Sequence, residues 1–152
     1  MPSRRDQITM SDEELHGFLA EKKVVTCATI GPNGRPHLMP LWYSPDGTTL
    51  RSWTYAKSQK AKNLERDPHA TLQVEDGEVY QELRGVMMEC DVAIEREPQE
   101  VAKYGLALFK RFGATGPDVE AMIAGQAPKR IGMTFTPTRI VSWDHSKLGG
   151  TY

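Results

Sequence analysis

Residues 48–68 read TTLRSWTYAKSQKAKNLERDP and run a strand straight into a short helix. Leu50 to Tyr55 is rich in β-branched and aromatic residues, with Leu50, Ser52 and Thr54 on one face and Arg51, Trp53 and Tyr55 on the other. A small residue, Ala56, breaks the run, and Ser58 is placed to cap a helix over Gln59–Arg66. That helix stops at Asp67-Pro68, because a residue before proline is pushed out of the α region. Lys57 and Lys60 therefore flank a helix N-terminus, where free N–H groups and the macrodipole favour an anion. Thr54, Ser58 and the two lysines make a candidate phosphate cradle. The competing reading is a solvated basic helix face.

Upstream, Ser11 and Glu14 carry the spacing of a capping box, and Leu15, Phe18 and Leu19 give the helix that follows an apolar face. Residues 24–30 are apolar or small throughout, which predicts a strand covered on both faces. Gly31-Pro32-Asn33-Gly34 is a tight turn. The returning strand, residues 35–43, carries Pro40, which cannot donate to a ladder. Either the sheet is open or bulged there, or this is an ordinary edge strand. Residues 44–47 repeat the turn chemistry.

Downstream, 71–74 is a strand and 79–94 a long one, with Gly85 as the expected bulge. Pro98 opens a helix in which Val101, Tyr104, Leu108, Phe109 and Phe112 follow the i, i+3, i+4 rule. A shorter helix is expected over 118–124, and the last strands over 131–135 and 139–143. Six or seven short strands at hairpin spacing, with few and peripheral helices, predict a mainly β fold, a small antiparallel barrel. An open α+β sandwich is the alternative. No connecting segment is long enough for a domain boundary, so residues 1–152 are expected to form one domain. A barrel has one inside, so a strand covered on both faces also calls for a dimer.

Basic and acidic residues number 19 and 20, a balance that speaks against a dedicated nucleic-acid binder. No apolar run approaches the roughly 20 residues of a membrane-spanning helix, and residues 1–10 lack a signal-peptide core, which points to a cytoplasmic protein with no membrane partner. Cys27 and Cys90 each fall inside a predicted strand, without C-x-x-C or a His/Cys cluster. They read as buried free thiols, and no metal site is visible. Nor is there a Ser/His/Asp or Cys/His arrangement that would define a catalytic residue. His37 and His145 are the only candidate proton donors, and packing or surface roles account for both more readily.

Taken with its flanks, the opening stretch resembles the pyridoxamine 5′-phosphate oxidase-like split β-barrel superfamily. Residues 26–37 (TCATIGPNGRPH) look like its opening hairpin, Ser58–Pro68 like its phosphate-binding strand-to-helix element, and Leu83-Arg84-Gly85 like the strand that follows. The Lys60-x-x-Asn63-Leu64-x-x-Asp67-Pro68 pattern resembles the short members that use the deazaflavin coenzyme F420. The resemblance implies a homodimer with two cofactor sites in clefts between the subunits. On this sequence it implies that Ser58 and Lys60 hold the cofactor phosphate, with Lys57, Gln59 and Asn63 around them. Thr54 would lie near the ribityl chain and Met39, Pro40, Leu41 and Trp42 beside the ring, with Ser52, Trp53, Tyr80, Trp143 and Lys147 completing the cleft.

The implied activity is hydride transfer from reduced F420 to an unsaturated or conjugated small molecule. An FMN-dependent oxidase or reductase, and a non-catalytic binder of such a cofactor, are the alternatives. Pyridoxamine phosphate oxidases resemble one another in an Arg-x-x-Leu-Leu-Lys strand and a terminal Arg-Leu-His segment. Here those regions read RPHLMP (35–40) and SWDHSKLGGTY (142–152), which speaks against pyridoxamine phosphate as substrate. The terminal segment, with His145, Lys147 and Gly149-Gly150, is expected to reach the partner's cleft.

Overall fold

Residues 1–150 are described by the structure, a computed structural model built on one seven-stranded antiparallel sheet. Its strands are β1 (Val24–Ile30), β2 (Pro36–Trp42), β3 (Ser44–Asp46), β4 (Thr49–Tyr55), β5 (His69–Asp76), β6 (Arg84–Glu95) and β7 (Arg130–Asp144). They lie in the order β2-β1-β5-β6-β7-β4-β3. The two edge strands, β2 and β3, are consecutive in the chain and meet at Tyr43. The sheet therefore curls until its ends are neighbours with no ladder between them, an antiparallel half-barrel split along a seam. Five helices surround it: α1 (Arg4–Ile8), α2 (Asp12–Glu21), α3 (Gln59–Arg66), α4 (Pro98–Lys110) and α5 (Pro117–Gln126).

Alternation fills the inside. Val25 and Cys27 of β1, Leu72 and Val74 of β5, and Val86 and Met88 of β6 are all buried, together with Phe18 and Leu19 of α2 and Leu64 of α3. A second apolar layer lies outside β4, where Trp53 packs with Val101, Leu108, Ile123 and Ala127. Helix α4 approaches the sheet closely through two glycines. A Cβ at Gly105 would lie 2.5 Å from the Trp53 ring, and one at Gly132 would lie 2.6 Å from the Tyr104 ring.

Side chains close the seam. The Ser52 hydroxyl donates to the Trp42 carbonyl at 2.6 Å, and the Tyr43 hydroxyl donates to the Leu19 carbonyl at 2.7 Å. Arg111, the residue that ends α4, donates to the carbonyls of Tyr43, Leu19, Ala20 (2.8 Å) and Lys22 (2.6 Å). Its guanidinium carbon also lies 4.9 Å from the centre of the Tyr43 ring. Three of those carbonyls belong to the last turn and C-cap of α2, which has no intrahelical partners for them. One cation thus caps α2 and ties α4 to the seam. Nearby, Asp76 accepts from Lys22 (2.6 Å) and Arg84 (2.9 Å), and those two charges hold its carboxyl down at about 2.

The half-barrel agrees with the sequence, but several local expectations need correction. Within the single chain β1 buries one face: burial alternates along it, and Val24 and Ile30 on the other face are 50% and 41% exposed. Of the two readings at Pro40 the ordinary edge strand holds: the proline stands opposite Thr26 in unbroken register, because β2 has a neighbour on one side only and needs no donor on the other. Gly85 makes no bulge. It is glycine because the Trp143 indole lies against it, 2.5 Å from where a Cβ would sit. The register shift falls at Glu89/Cys90, which lets 130–144 run as one strand through Pro137 rather than as two. Residues 80–82 form a 3₁₀ turn, and neither α1 nor β3 was expected.

Arg111→Met keeps the length and apolar stem of the side chain but leaves the carbonyls of Tyr43, Ala20 and Lys22 without their side-chain donor, while Leu19 keeps the Tyr43 hydroxyl. It should lower stability by about 2–3 kcal/mol, read from urea denaturation. Arg111→Lys, with a single ammonium in place of the fork, should recover part of the loss.

Candidate functional site

The strand-to-helix element is built as its sequence predicts. Ser58 caps α3, its hydroxyl accepting from Ala61 N–H at 3.1 Å, while the N–H groups of Gln59 and Lys60 have no partner among the described residues. Thr54 ends on the inner face of β4, its hydroxyl 3.5 Å from that of Ser58. The two lysines part company here. Lys57 is exposed, beside Tyr55 and Lys129. Lys60 is 6% exposed and turns inward, with Nζ 3.4 Å from the Thr54 hydroxyl and no carboxylate paired with it among the described residues. Burial pushes the Lys60 ammonium below its ordinary value and pushes the neighbouring Cys27 thiol up to about 11. Cys90 is likewise raised to about 12 by burial, so neither buried thiol is a ready thiolate.

Beside the α3 N-terminus is a hollow of about 440 Å³ lined by Arg35, His37, Gln59 and the 31–34 turn. His37 projects from β2 on the same face as Met39 and Leu41, opposite Thr29. Its Nδ1 is buried and lacks a hydrogen-bond partner. Asn63, by contrast, is completely buried and engaged within the chain. Its amide donates to the Thr29 hydroxyl (3.1 Å), and its oxygen accepts from Gln59 (2.8 Å). It ties α3 to β1.

A second cavity, about 390 Å³, opens at the seam beneath α4 and α5. Pro40, Leu41, Trp42, Ser52 and Trp53 line it, so these sequence candidates are brought together; Met39 lies on the same strand, 46% exposed. The sequence reading missed the rest of its wall: Leu108, Phe109, Met122, Gln126 and Arg130. Only the helical periodicity at Leu108 and Phe109 hinted at it.

The remaining candidates, Tyr80, Trp143 and Lys147, line neither cavity. Trp143 lies thirteen residues along β7 from Arg130, at the other end of the sheet. The terminal segment is docked on its own barrel. Lys147 Nζ meets Glu14 (2.8 Å) and the Thr9 carbonyl (3.0 Å), and His145 N–H donates to the Leu83 carbonyl at 2.9 Å. The His145 ring also packs 4.5 Å from that of Tyr80. Lys147 holds the Glu14 carboxyl below its ordinary range. Residues 151 and 152 of the expected tail lie outside the described residues. Among the described residues no His/Cys/Asp/Glu cluster could hold a metal ion, and no helix is long and apolar enough to cross a membrane.

An antiparallel split half-barrel with helices on its rim defines the class: the pyridoxamine 5′-phosphate oxidase-like fold. The family model for pyridoxamine 5′-phosphate oxidase matches residues 11–144, and the chain belongs to that family. It is similar to the crystal structure of conserved hypothetical protein Rv2991 from Mycobacterium tuberculosis. The two share 38% identity at a TM-score of 0.89, over 99% of this chain and 95% of that one. An F420 reductase is 24% identical with a TM-score of 0.67, covering 82% of this chain and 94% of that one. HutZ, a heme storage protein from Vibrio cholerae, is 17% identical at 0.69, with coverage of 88% and 96%. The last two likenesses concern the fold alone. No curated protein matches the chain.

Because 145–150 is anchored on α2 and on the 80–82 turn, truncation after Asp144 should lower the melting temperature by about 2–8 °C, the equivalent of one or two lost polar contacts. Scanning calorimetry checks this. A tail that was only a reach toward a partner would leave the transition where it is.

Proposed function

We propose that this protein is a coenzyme F420-dependent oxidoreductase, transferring hydride to an unsaturated or conjugated small molecule and working as a homodimer. The observation that carries the reading is Lys60, a buried ammonium at the head of α3 with no carboxylate beside it. A buried charge without a partner is costly, and an anion drawn from solution to the adjacent N–H groups would relieve that cost. The unpartnered His37 Nδ1 in the adjoining hollow is a second group that fits a polar, phosphate-bearing cofactor. Phosphate is common to F420 and FMN. The Lys60–Pro68 pattern and the name of one fold relative favour F420, and FMN is the second reading.

When bound, the deazaflavin or flavin supplies the hydride chemistry. The chain's part is binding, orientation and exclusion of water. Lys60, Ser58 and the Gln59 and Lys60 N–H groups would hold the phosphate, and the Met39–Trp42 strand would support the ring. Among the described residues the wall of the seam cavity carries no Asp, Glu, His, Cys or Lys, and a proton needed by the product would come from solvent. The apolar outer face of β1 and β2, where Val24, Ile30 and Leu38 are 41–60% exposed, supports a second copy as partner.

Two measurements test this. Lys60→Met should raise the dissociation constant for F420, or for FMN, about ten- to hundredfold. Its cofactor-free stability should be kept or increased, because an unpaired buried charge has been removed. A merely structural lysine would lose stability and leave binding unchanged, and exposed Lys62→Ala is the control. Light scattering should report twice the 17.0 kDa chain mass, and Leu38→Lys should shift that toward the monomer.

A further inference from the structure

Arg130 opens β7 beside the seam cavity, directly across from Tyr55 on β4. Its guanidinium carbon lies over two aromatic rings, 3.9 Å from the centre of Tyr55 and 4.4 Å from that of Trp53. Nε donates to the Gln126 side-chain oxygen at 3.1 Å. The rings and Gln126 together restrict both the position and the rotation of the guanidinium. Both terminal amino groups are left without a hydrogen-bond partner, and no carboxylate pairs with Arg130 among the described residues. Such a fork matches a carboxylate in two parallel hydrogen bonds, and its orientation is already set before anything binds.

The rest of the wall suits a flat apolar body. Trp42, Trp53 and Phe109 supply rings, Leu108 and Met122 supply apolar surface, and Arg130 is the only charged residue in the wall among the described residues. At about 390 Å³ the cavity has room for a two-ring compound and falls in the size range of small-molecule sites. The exposed Lys57 and Lys129 line a separate hollow with Tyr55, whose ring lies under the Arg130 guanidinium, and add positive potential on that side.

We propose that the seam cavity binds a planar organic acid, its ring system against Trp42, Trp53 and Phe109 and its carboxylate on the fork of Arg130. The role of that acid as hydride acceptor rests on the oxidoreductase reading above; its binding does not.

Calorimetric titration of the purified full-length chain tests this with three probes. They are 2-naphthoate, its uncharged amide 2-naphthamide, and glutarate, a flexible diacid that stands for a carboxylate without a flat body. 2-Naphthoate should bind one per chain and at least about tenfold more tightly than either of the others. Arg130→Met should bring the acid-to-amide ratio to about one. Arg130→Lys should keep part of it, and Gln126→Leu should reduce it because the fork loses its orientation. Arg139→Met, at an exposed arginine elsewhere on β7, should leave the ratio unchanged. If Arg130→Met does not fold, the Lys and Gln126→Leu variants decide. Failure of 2-naphthoate to bind, equal binding of acid and amide, equal binding of glutarate, or a preference that survives the Arg130 variants would each overturn the proposal. Binding of F420 and FMN is measured separately by absorbance. Acid binding in a chain that takes neither cofactor would remove the oxidoreductase reading and leave this one standing.

Discussion

A curled sheet whose two edges do not pair has to be held shut by something other than a ladder. Here the closure is concentrated at Tyr43, where β2 passes into β3, and the agent is Arg111. A guanidinium carries five donors in a fixed plane, so it can satisfy carbonyls from the end of α2 and from the seam at once, as a lysine could not. The arrangement also fixes where α4 ends. With α4 in place, the ring of Phe109 meets Trp42 and Trp53 edge-on, and the wall of the seam cavity follows. Both the shape of the barrel and the shape of its cavity thus trace back to one cation on the carbonyls of another helix.

The two candidate ligand regions differ in physical character because they lie on different faces of β4. Thr54 faces inward, toward Ser58 and Lys60, and makes a polar pocket at the head of α3. Trp53 faces outward, under α4, and makes an aromatic one. A strand alternates faces at every residue, so one short segment supplies a polar pocket and an apolar wall side by side. A phosphate-bearing cofactor and a flat acceptor need such neighbouring sites when hydride is to pass between them.

Charge is managed differently in the two places. Lys60 is buried and unpaired, so it should respond little to salt and strongly to a bound anion. Arg130 is part-exposed and rests on aromatic faces, where a weakly hydrated guanidinium is stable without a carboxylate. Among the ion pairs that do form, Lys147 with Glu14 joins the 145–148 segment to α2, and Arg84 with Asp76 and Glu21 joins the end of α2 to β5 and β6. They lie away from both cavities.

Local pattern was enough for the strand and cap at Leu50–Ser58, the stop at Asp67-Pro68, the Pro98 helix and the family resemblance. Each depends on steric preferences and hydrogen bonds between residues a few positions apart, and these are present in the chain before it folds. What the fold alone decided is carried by contacts between distant residues. Lys60 faces inward and Lys57 outward because α3 packs on β1, where Asn63 meets Thr29 across 34 residues of sequence. Gly85 is small because Trp143, on the neighbouring strand, lies over it, and nothing near Gly85 in sequence announces that. Arg111 and Arg130 look like ordinary surface arginines in the sequence. They acquire their roles from carbonyls and rings up to 92 residues away, which only the closed sheet brings within reach.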